Sequence, residues 1–293
     1  MFKSGFVVLL GRPNAGKSTL MNALLGSKLS IVSPQPQTTR HKILGILDRD
    51  DAQICFLDTP GVVPDPSDPL QNALRRAAVQ SAKEDPDVLV LLVEPKKPDE
   101  KTVSELAMLA KGGKPVILAI NKIDVAEAAA HHDAVERIYR EAVKPASVFR
   151  ISALKRLGLE PLLADIMARL PEGEPFYEKG QLSDRWERFF AEELVREQLF
   201  AQYSQEIPHA VAVMIDQFME GKPDVVRATL YVERDGQKGI LLGKQGQALR
   251  KLQSRAEAAI AGFTGRPTQL DLWIKVRKNW RKDPRSLKEF GYL

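Results

Sequence analysis

The chain has 293 residues, 44% of them hydrophobic and 28% charged, enough for about two globular domains. Its single cysteine, Cys55, lies in an apolar run; this excludes a disulfide framework and a cysteine-based zinc site and fits a reducing, cytoplasmic setting. The longest apolar run, residues 88–93, is far shorter than a membrane span, and the first residues lead straight into a strand-like segment with no secretion-signal cleavage site.

The net charge of +5 is spread unevenly. Residues 1–175 are nearly neutral at +1, residues 176–235 carry −5, and residues 236–293 carry +9. So basic a C-terminal segment suits a polyanionic partner, either nucleic acid or an anionic membrane face; charge alone also describes a solvated surface.

Apolar runs at 6–10, 42–47, 52–57, 88–93, 115–120 and 147–151 are expected to be strands buried on both faces of a sheet. Helical periodicity occupies 17–26, 70–84, 100–111, 127–143 and 159–169. Residues 1–173 therefore predict an α/β domain with a mixed, mostly parallel sheet and helices on both faces.

The first motif, GRPNAGKS at 11–18, follows a strand and opens a helix, the context that G-x-x-x-x-G-K-[ST] requires. Gly11, Arg12, Pro13, Asn14, Ala15 and Gly16 form a loop whose amides can surround phosphates. Lys17 neutralises the β and γ charges, Ser18 offers a hydroxyl to Mg²⁺, and Thr19 continues into the helix.

Next comes the proline-broken polar stretch SPQPQTTRH, 33–41, of the kind that orders around a γ-phosphate. Thr39 is the first choice for a second Mg²⁺ hydroxyl, with Thr38 as the alternative. DTPG follows at 58–61, where Asp58 at a strand end can hold the Mg²⁺ shell, Thr59 and Pro60 shape the turn, and Gly61 can aim its N–H at the γ-phosphate. Val62 stands where many GTPases place a water-orienting glutamine, so slow intrinsic hydrolysis is expected. Asn14 is then a candidate ligand for K⁺, with a loop-stabilising hydrogen bond as the alternative. Lys17, Thr39, Gly61 and Asn14 make up the expected catalytic set.

NKID at 121–124 selects the base: the Asp124 carboxylate can accept from guanine N1–H and the 2-amino group, a pair adenine lacks. GTP and GDP are the expected nucleotides. Asn121 and Lys122 are expected to steady the base and brace the phosphate loop, and Ser152, Ala153 and Leu154 to add backbone donors toward the guanine oxygen.

The stretch 170–184, with two prolines, two glycines and no sustained periodicity, is expected to hold the linker, placed at 174–183. Beyond it, 184–293 predicts helix (184–202), strand (209–219), strand (224–234), short helix (237–242), GKQG, helix (247–261) and strand (268–276), with a basic tail. That order is the type II KH topology, in which a G-x-x-G loop clamps the backbone of an unpaired strand. Gly243, Lys244, Gln245 and Gly246, with Arg250 and Lys251 on the next helix, are the candidate RNA contacts. Ile240 and Leu242 are candidates for a groove floor or for the core, and Trp280 either extends the surface or packs.

GRPNAGKS, QTTRH, DTPGV, NKID and SAL followed by a KH module with GKQG resemble the Era family of bacterial GTPases over essentially the whole chain. The resemblance implies a partner that composition does not show. This is the 3′ end of 16S ribosomal RNA, bound as a single strand by a monomer during 30S subunit assembly. It also implies that nucleotide state governs RNA affinity, and that some members touch the membrane peripherally.

Overall fold

The computed structural model describes residues 1–84 and 86–293, with side chains for all of these except 127–129. The chain divides into two compact units. The first comprises residues 1–30, 39–67 and 71–184; the second comprises 31–38, 68–70 and 185–293.

The N-terminal unit alternates strands and helices in chain order: β1 (Lys3–Gly11), α1 (Lys17–Leu25), β2 (Ile43–Asp48), β3 (Ala52–Asp58), α2 (Pro69–Lys83), β4 (Val88–Val93), α3 (Glu100–Ala110), β5 (Val116–Ile120), α4 (His132–Val143), β6 (Ser147–Arg150) and α5 (Leu159–Arg169). Its six strands lie in the order β2-β3-β1-β4-β5-β6, with β2 antiparallel to β3 and every other pair parallel. Continuous apolar runs suit strands covered on both faces: all six residues of β4 are buried, and Val7, Val8, Leu9 and Leu10 are at most 1% exposed. The register pairs Leu9 with Asp58, the last residue of β3 and two residues short of the end of β1, so the loops that follow the two parallel strands open on one rim of the sheet.

All six expected strands are present. The expected helix at 127–143 begins instead as a 3₁₀ turn, Ala126–His131, and becomes α-helical at His132. The core anchors Val135 and Tyr139 both fall in the α-helical part, so packing reinforces that stretch. Residues 174–183 are built into this unit rather than strung out as a free linker. Gln53 Oε1 accepts the amides of Phe176 and Tyr177 at 2.7 and 2.9 Å, and Ile46 N–H donates to Leu182 O at 2.9 Å. The cause is the edge position of β2, whose open side needs a partner.

In the C-terminal unit the order is α6 (Glu187–Gln202), α7 (Ile207–Ala210), β7 (Ala212–Met219), β8 (Asp224–Val232), α8 (Asp235–Leu242), α9 (Gln247–Thr264), β9 (Thr268–Val276) and α10 (Pro284–Glu289). The sheet runs β7-β8-β9, with β8 antiparallel to β7 and parallel to β9. Val195 of α6 and Leu252, Ala256 and Ile260 of α9 close over Val226, Ala228 and Leu270, all fully buried. The strand expected from 209 starts at Ala212, because Pro208 sits in the first turn of α7.

The basic tail is folded. Asp283 caps α10 by accepting from the amides of Arg285 and Ser286, and Trp280 is 0% exposed, its Nε1–H donating to Ala210 O at 2.9 Å. Trp280 is thus a packing residue and does not extend a binding surface. Phe290 meets its ring edge-on at 5.4 Å. Among the described residues no helix is long and apolar enough to cross a membrane. Trp280→Ala should destabilise the C-terminal unit by about 3–5 kcal/mol, measured by urea unfolding; a loss below about 1 kcal/mol would contradict this anchoring role.

Candidate nucleotide and nucleic-acid sites

The phosphate loop spans the turn from β1 to α1. Gly16 caps α1 at φ +100°, and a Cβ there would lie 2.2 Å from Asn121 Nδ2, so only glycine fits. Asn14, exposed on the same loop, holds φ +62°, a conformation asparagine tolerates better than most residues. Asn121 ties the loop to its neighbours: its Nδ2 donates to Ala15 O at 2.8 Å and its Oδ1 accepts the Ala153 amide at 2.9 Å.

Lys17 is 5% exposed, and its Nζ spans the loop to Gly11 O at 3.2 Å and Arg12 O at 3.0 Å. Burial lowers its pKa to about 8, against the opposing pull of Asp58 and Glu94. Ser18 Oγ–H donates to Asp58 Oδ2 at 2.6 Å and lies 2.9 Å from Thr39 Oγ1. One carboxylate and two hydroxyls from three separate segments thus converge, a hard-oxygen set that suits Mg²⁺. Thr38 takes no part, since its hydroxyl donates to Gln35 O at 2.9 Å. Thr39 is the threonine brought to the site.

On the DTPG turn, Thr59 Oγ1–H donates to Leu9 O at 2.8 Å. A Cβ on Gly61 would strike Pro13 N at 2.3 Å, so this turn packs directly on the phosphate loop. Val62 donates its amide to Gly11 O at 3.0 Å, while its side chain, 1% exposed, joins Val8, Leu10, Ala78 and Leu91 in the core. It presents no polar atom to a water.

At the base end, Asp124 is exposed and its Oδ1 accepts Ser152 Oγ–H at 2.6 Å, which orients the carboxylate. Of the two residues expected to steady the base and brace the phosphate loop, Asn121 braces the loop, and the Lys122 ammonium pairs with Glu94. The amides of Ser152, Ala153 and Lys155 are all bonded, so the amide of Leu154, a residue 69% exposed, is the donor this loop retains among the described residues. Sequence reading missed two contacts, Lys122–Glu94 and a half-exposed pair between Arg12 and Asp99 at 3.3 Å. Neither partner carries a local motif.

In the C-terminal unit, GKQG joins α8 to α9. Gly243, Gln245 and Gly246 hold φ +65°, +50° and +75°, and a Cβ on Gly243 would meet Ala248 Cβ at 2.6 Å. Lys244 and Lys251 are exposed, and Arg250 Nη2 donates to Gln245 O at 2.8 Å, tying the loop to α9. Ile240 is 51% exposed and Leu242 half-buried, whereas Leu241 is the fully buried residue of this helix. Core packing therefore does not account for Ile240, which is left available as part of a groove floor.

Fold and site together define a P-loop guanine-nucleotide domain followed by a type II KH domain. A family model for 50S ribosome-binding GTPases matches residues 6–122, and one for KH domains matches 206–281. GTPase Era of Lactobacillus helveticus is 42% identical over 99% of this chain and 96% of its own length; that of Carboxydothermus hydrogenoformans is 41% identical over 99% and 98%. The chain belongs to the Era family of GTPases. Two solved structures each align with a TM-score of 0.93 at 36% identity. One is an Aquifex aeolicus Era variant bound to GDP·AlF4⁻, covering 99% of both chains. The other is an Era in complex with MgGDPNP and nucleotides 1506–1542 of 16S ribosomal RNA, covering 100% of this chain and 99% of that one.

Phosphate contact favours the charged form of Lys17, while the nucleotide-free protein keeps it charged only below its lowered pKa of about 8. Nucleotide binding should therefore take up almost no proton at pH 7 and a growing fraction of a proton above pH 8, as titration calorimetry in buffers of different ionisation enthalpy would show. Uptake that stays flat across this range would refute the burial effect. Val62→Gln should not speed hydrolysis; by burying an amide in the apolar core it should cost about 1–3 kcal/mol of stability. Faster turnover in a fully stable variant would contradict the core assignment.

Proposed function

We propose that this chain is a Mg²⁺-dependent GTP switch that binds unpaired 16S ribosomal RNA near its 3′ end through its KH unit and acts in assembly of the 30S subunit. The observation that carries this reading is the presence, in one chain, of a complete guanine-nucleotide set and a cationic G-x-x-G loop. The Era relative solved with MgGDPNP and a 16S ribosomal RNA segment supports both the metal and the RNA.

In this reading Ser18, Thr39 and Asp58 hold Mg²⁺, which would offset charge on the phosphates. Lys17 neutralises the β and γ oxygens, Gly61 directs its amide at the γ-phosphate, and Asp124 reads the guanine edge. Without a polar group at Val62 to orient water, positioning and charge neutralisation supply the catalysis. Asn14 offers a side-chain oxygen for K⁺ beside the phosphates, so K⁺ should stimulate turnover where Na⁺ does not. On the RNA side, the ammonium of Lys244 and the amides of Lys244 and Gln245 meet backbone phosphates, while the amides of Gly243 and Gly246 donate to Gly239 O and Gly243 O. Ile240 offers apolar surface to the bases.

The decisive variant is Gly246→Asp. The left-handed φ of +75° disfavours any side chain, and a carboxylate beside the phosphates repels them. RNA affinity should fall by about two orders of magnitude, about 2.7 kcal/mol at about 1.4 kcal/mol per tenfold, while GTP hydrolysis stays near the parent rate. Retained RNA binding would rule out the clamp.

A further inference from the structure

The GKQG turn carries a residue in an unfavourable backbone conformation. Gln245 holds φ +50° and ψ +31°, left-handed values that persist in a residue with a side chain only where the surroundings over-determine them. One restraint is the hydrogen bond from Arg250 Nη2 of α9 to Gln245 O. A second comes from α6, which belongs to the same C-terminal unit, and it acts on both flanks of the turn.

Gln202 is the last residue of α6 and Tyr203 its C-cap. Gln202 Nε2 donates to Ala248 O at 2.7 Å and to Tyr203 Oη at 3.0 Å, and Tyr203 Oη–H donates to Leu241 O at 3.1 Å. Chemistry fixes these directions. A peptide oxygen only accepts, so the tyrosine proton points at Leu241 O and the lone pairs of its oxygen are left for the glutamine amide. Turning that amide over would set Gln202 Oε1 against Ala248 O and leave Tyr203 Oη without a donor. The result is one chain of hydrogen bonds from Ala248 O through Gln202 and Tyr203 to Leu241 O.

The two ends of this chain fall symmetrically about the turn. Leu241 lies two residues before Gly243, and Ala248 two residues after Gly246. Leu241 O belongs to the last turn of α8, where carbonyls lack partners within the helix, so the tyrosine satisfies an otherwise open acceptor. Between these points α8 and α9 are pressed together, since a Cβ on Gly243 would meet Ala248 Cβ at 2.6 Å. Tyr203 itself packs against the core of the unit, which gives its hydroxyl a fixed place.

We propose that Gln202 and Tyr203 are positioning residues for the RNA clamp. They latch the end of α8 to the start of α9 and so hold the GKQG turn in the shape that presents the Lys244 and Gln245 amides to backbone phosphates. Neither residue touches the RNA. The inference rests on the reading of GKQG as that clamp. A latched turn has little freedom left to lose on binding, whereas a loose one must be ordered when the RNA arrives, so the latch raises affinity without adding a contact.

The test measures, on the full chain, the dissociation constant of a single-stranded oligonucleotide matching the 3′ end of 16S ribosomal RNA, together with amide hydrogen exchange of the RNA-free protein. The variants are Tyr203→Phe, Gln202→Met, their combination, and Gly246→Asp. Tyr203→Phe deletes a single oxygen, and Gln202→Met keeps the length of the side chain without its donors. RNA affinity should fall by about threefold to tenfold in each of these two, the reach of one hydrogen bond. The combination should stay within about twofold of the weaker-binding single variant, because either change opens the same chain. Exchange at the amides of Gly243 and Gly246, which donate to Gly239 O and Gly243 O, should quicken, while the amides of β8 keep the parent rate.

Unchanged RNA affinity in both Tyr203→Phe and Gln202→Met would overturn the inference. So would exchange that quickens equally in the turn and in β8, which marks a general loosening of the unit. Losses that multiply in the combination would contradict the single chain and leave two independent contacts. A loss in Gly246→Asp with none in the other variants removes this inference and leaves the clamp standing. Unchanged affinity in Gly246→Asp removes the clamp reading beneath it.

Discussion

Ser18 Oγ sits between Asp58 and Thr39, and this one hydroxyl brings together the end of β3, the start of α1 and the loop before β2. Each partner is delivered by a different feature of the sequence. The parallel pairing of β1 with β3 sets Asp58 at the rim, the left-handed Gly16 starts α1 so that Ser18 faces that rim, and the polar loop brings Thr39 from the other side. Asn121 adds the same kind of closure at the base end, spanning from Ala15 to Ala153. Without these bridges the site would be five loops on a sheet edge; with them, the loops are held relative to one another.

The strands of the N-terminal unit were legible because their apolar runs are continuous, as burial on both faces demands. The phosphate loop, DTPG and NKID were legible for a different reason, since each sets charged or hydroxyl side chains beside a glycine or an asparagine at a strand end; positive φ marks Asn14 and Gly16 in the first and Lys122 in the last. Pairings between distant side chains were not legible. Lys122 is drawn to Glu94, and nothing near either residue in the sequence signals the other. Residues 174–183 have the composition of a linker, and only the sheet order shows that an open edge at β2 needs them.

In the C-terminal unit, the glycines of GKQG announced the turn, and its φ values agree with that reading. Trp280 illustrates the limit of composition: within a run of cations it looks like a surface aromatic, yet the chain folds back and buries it against Phe290 beneath a hydrogen bond to Ala210 O. Assigning Ile31–Thr38 to this unit likewise depends on contacts with α6, which no local pattern of SPQPQTT reveals.

The central claim is that the nucleotide held by the N-terminal unit governs how tightly the C-terminal unit holds an unpaired strand. The direct measurement is the dissociation constant of a single-stranded oligonucleotide matching the 3′ end of 16S ribosomal RNA, taken with the protein loaded with Mg²⁺ and a GTP analogue, loaded with GDP, and empty. The account predicts the tightest binding with the analogue, by at least about fivefold over GDP, the lower end of coupling between linked sites. Three equal constants would contradict it.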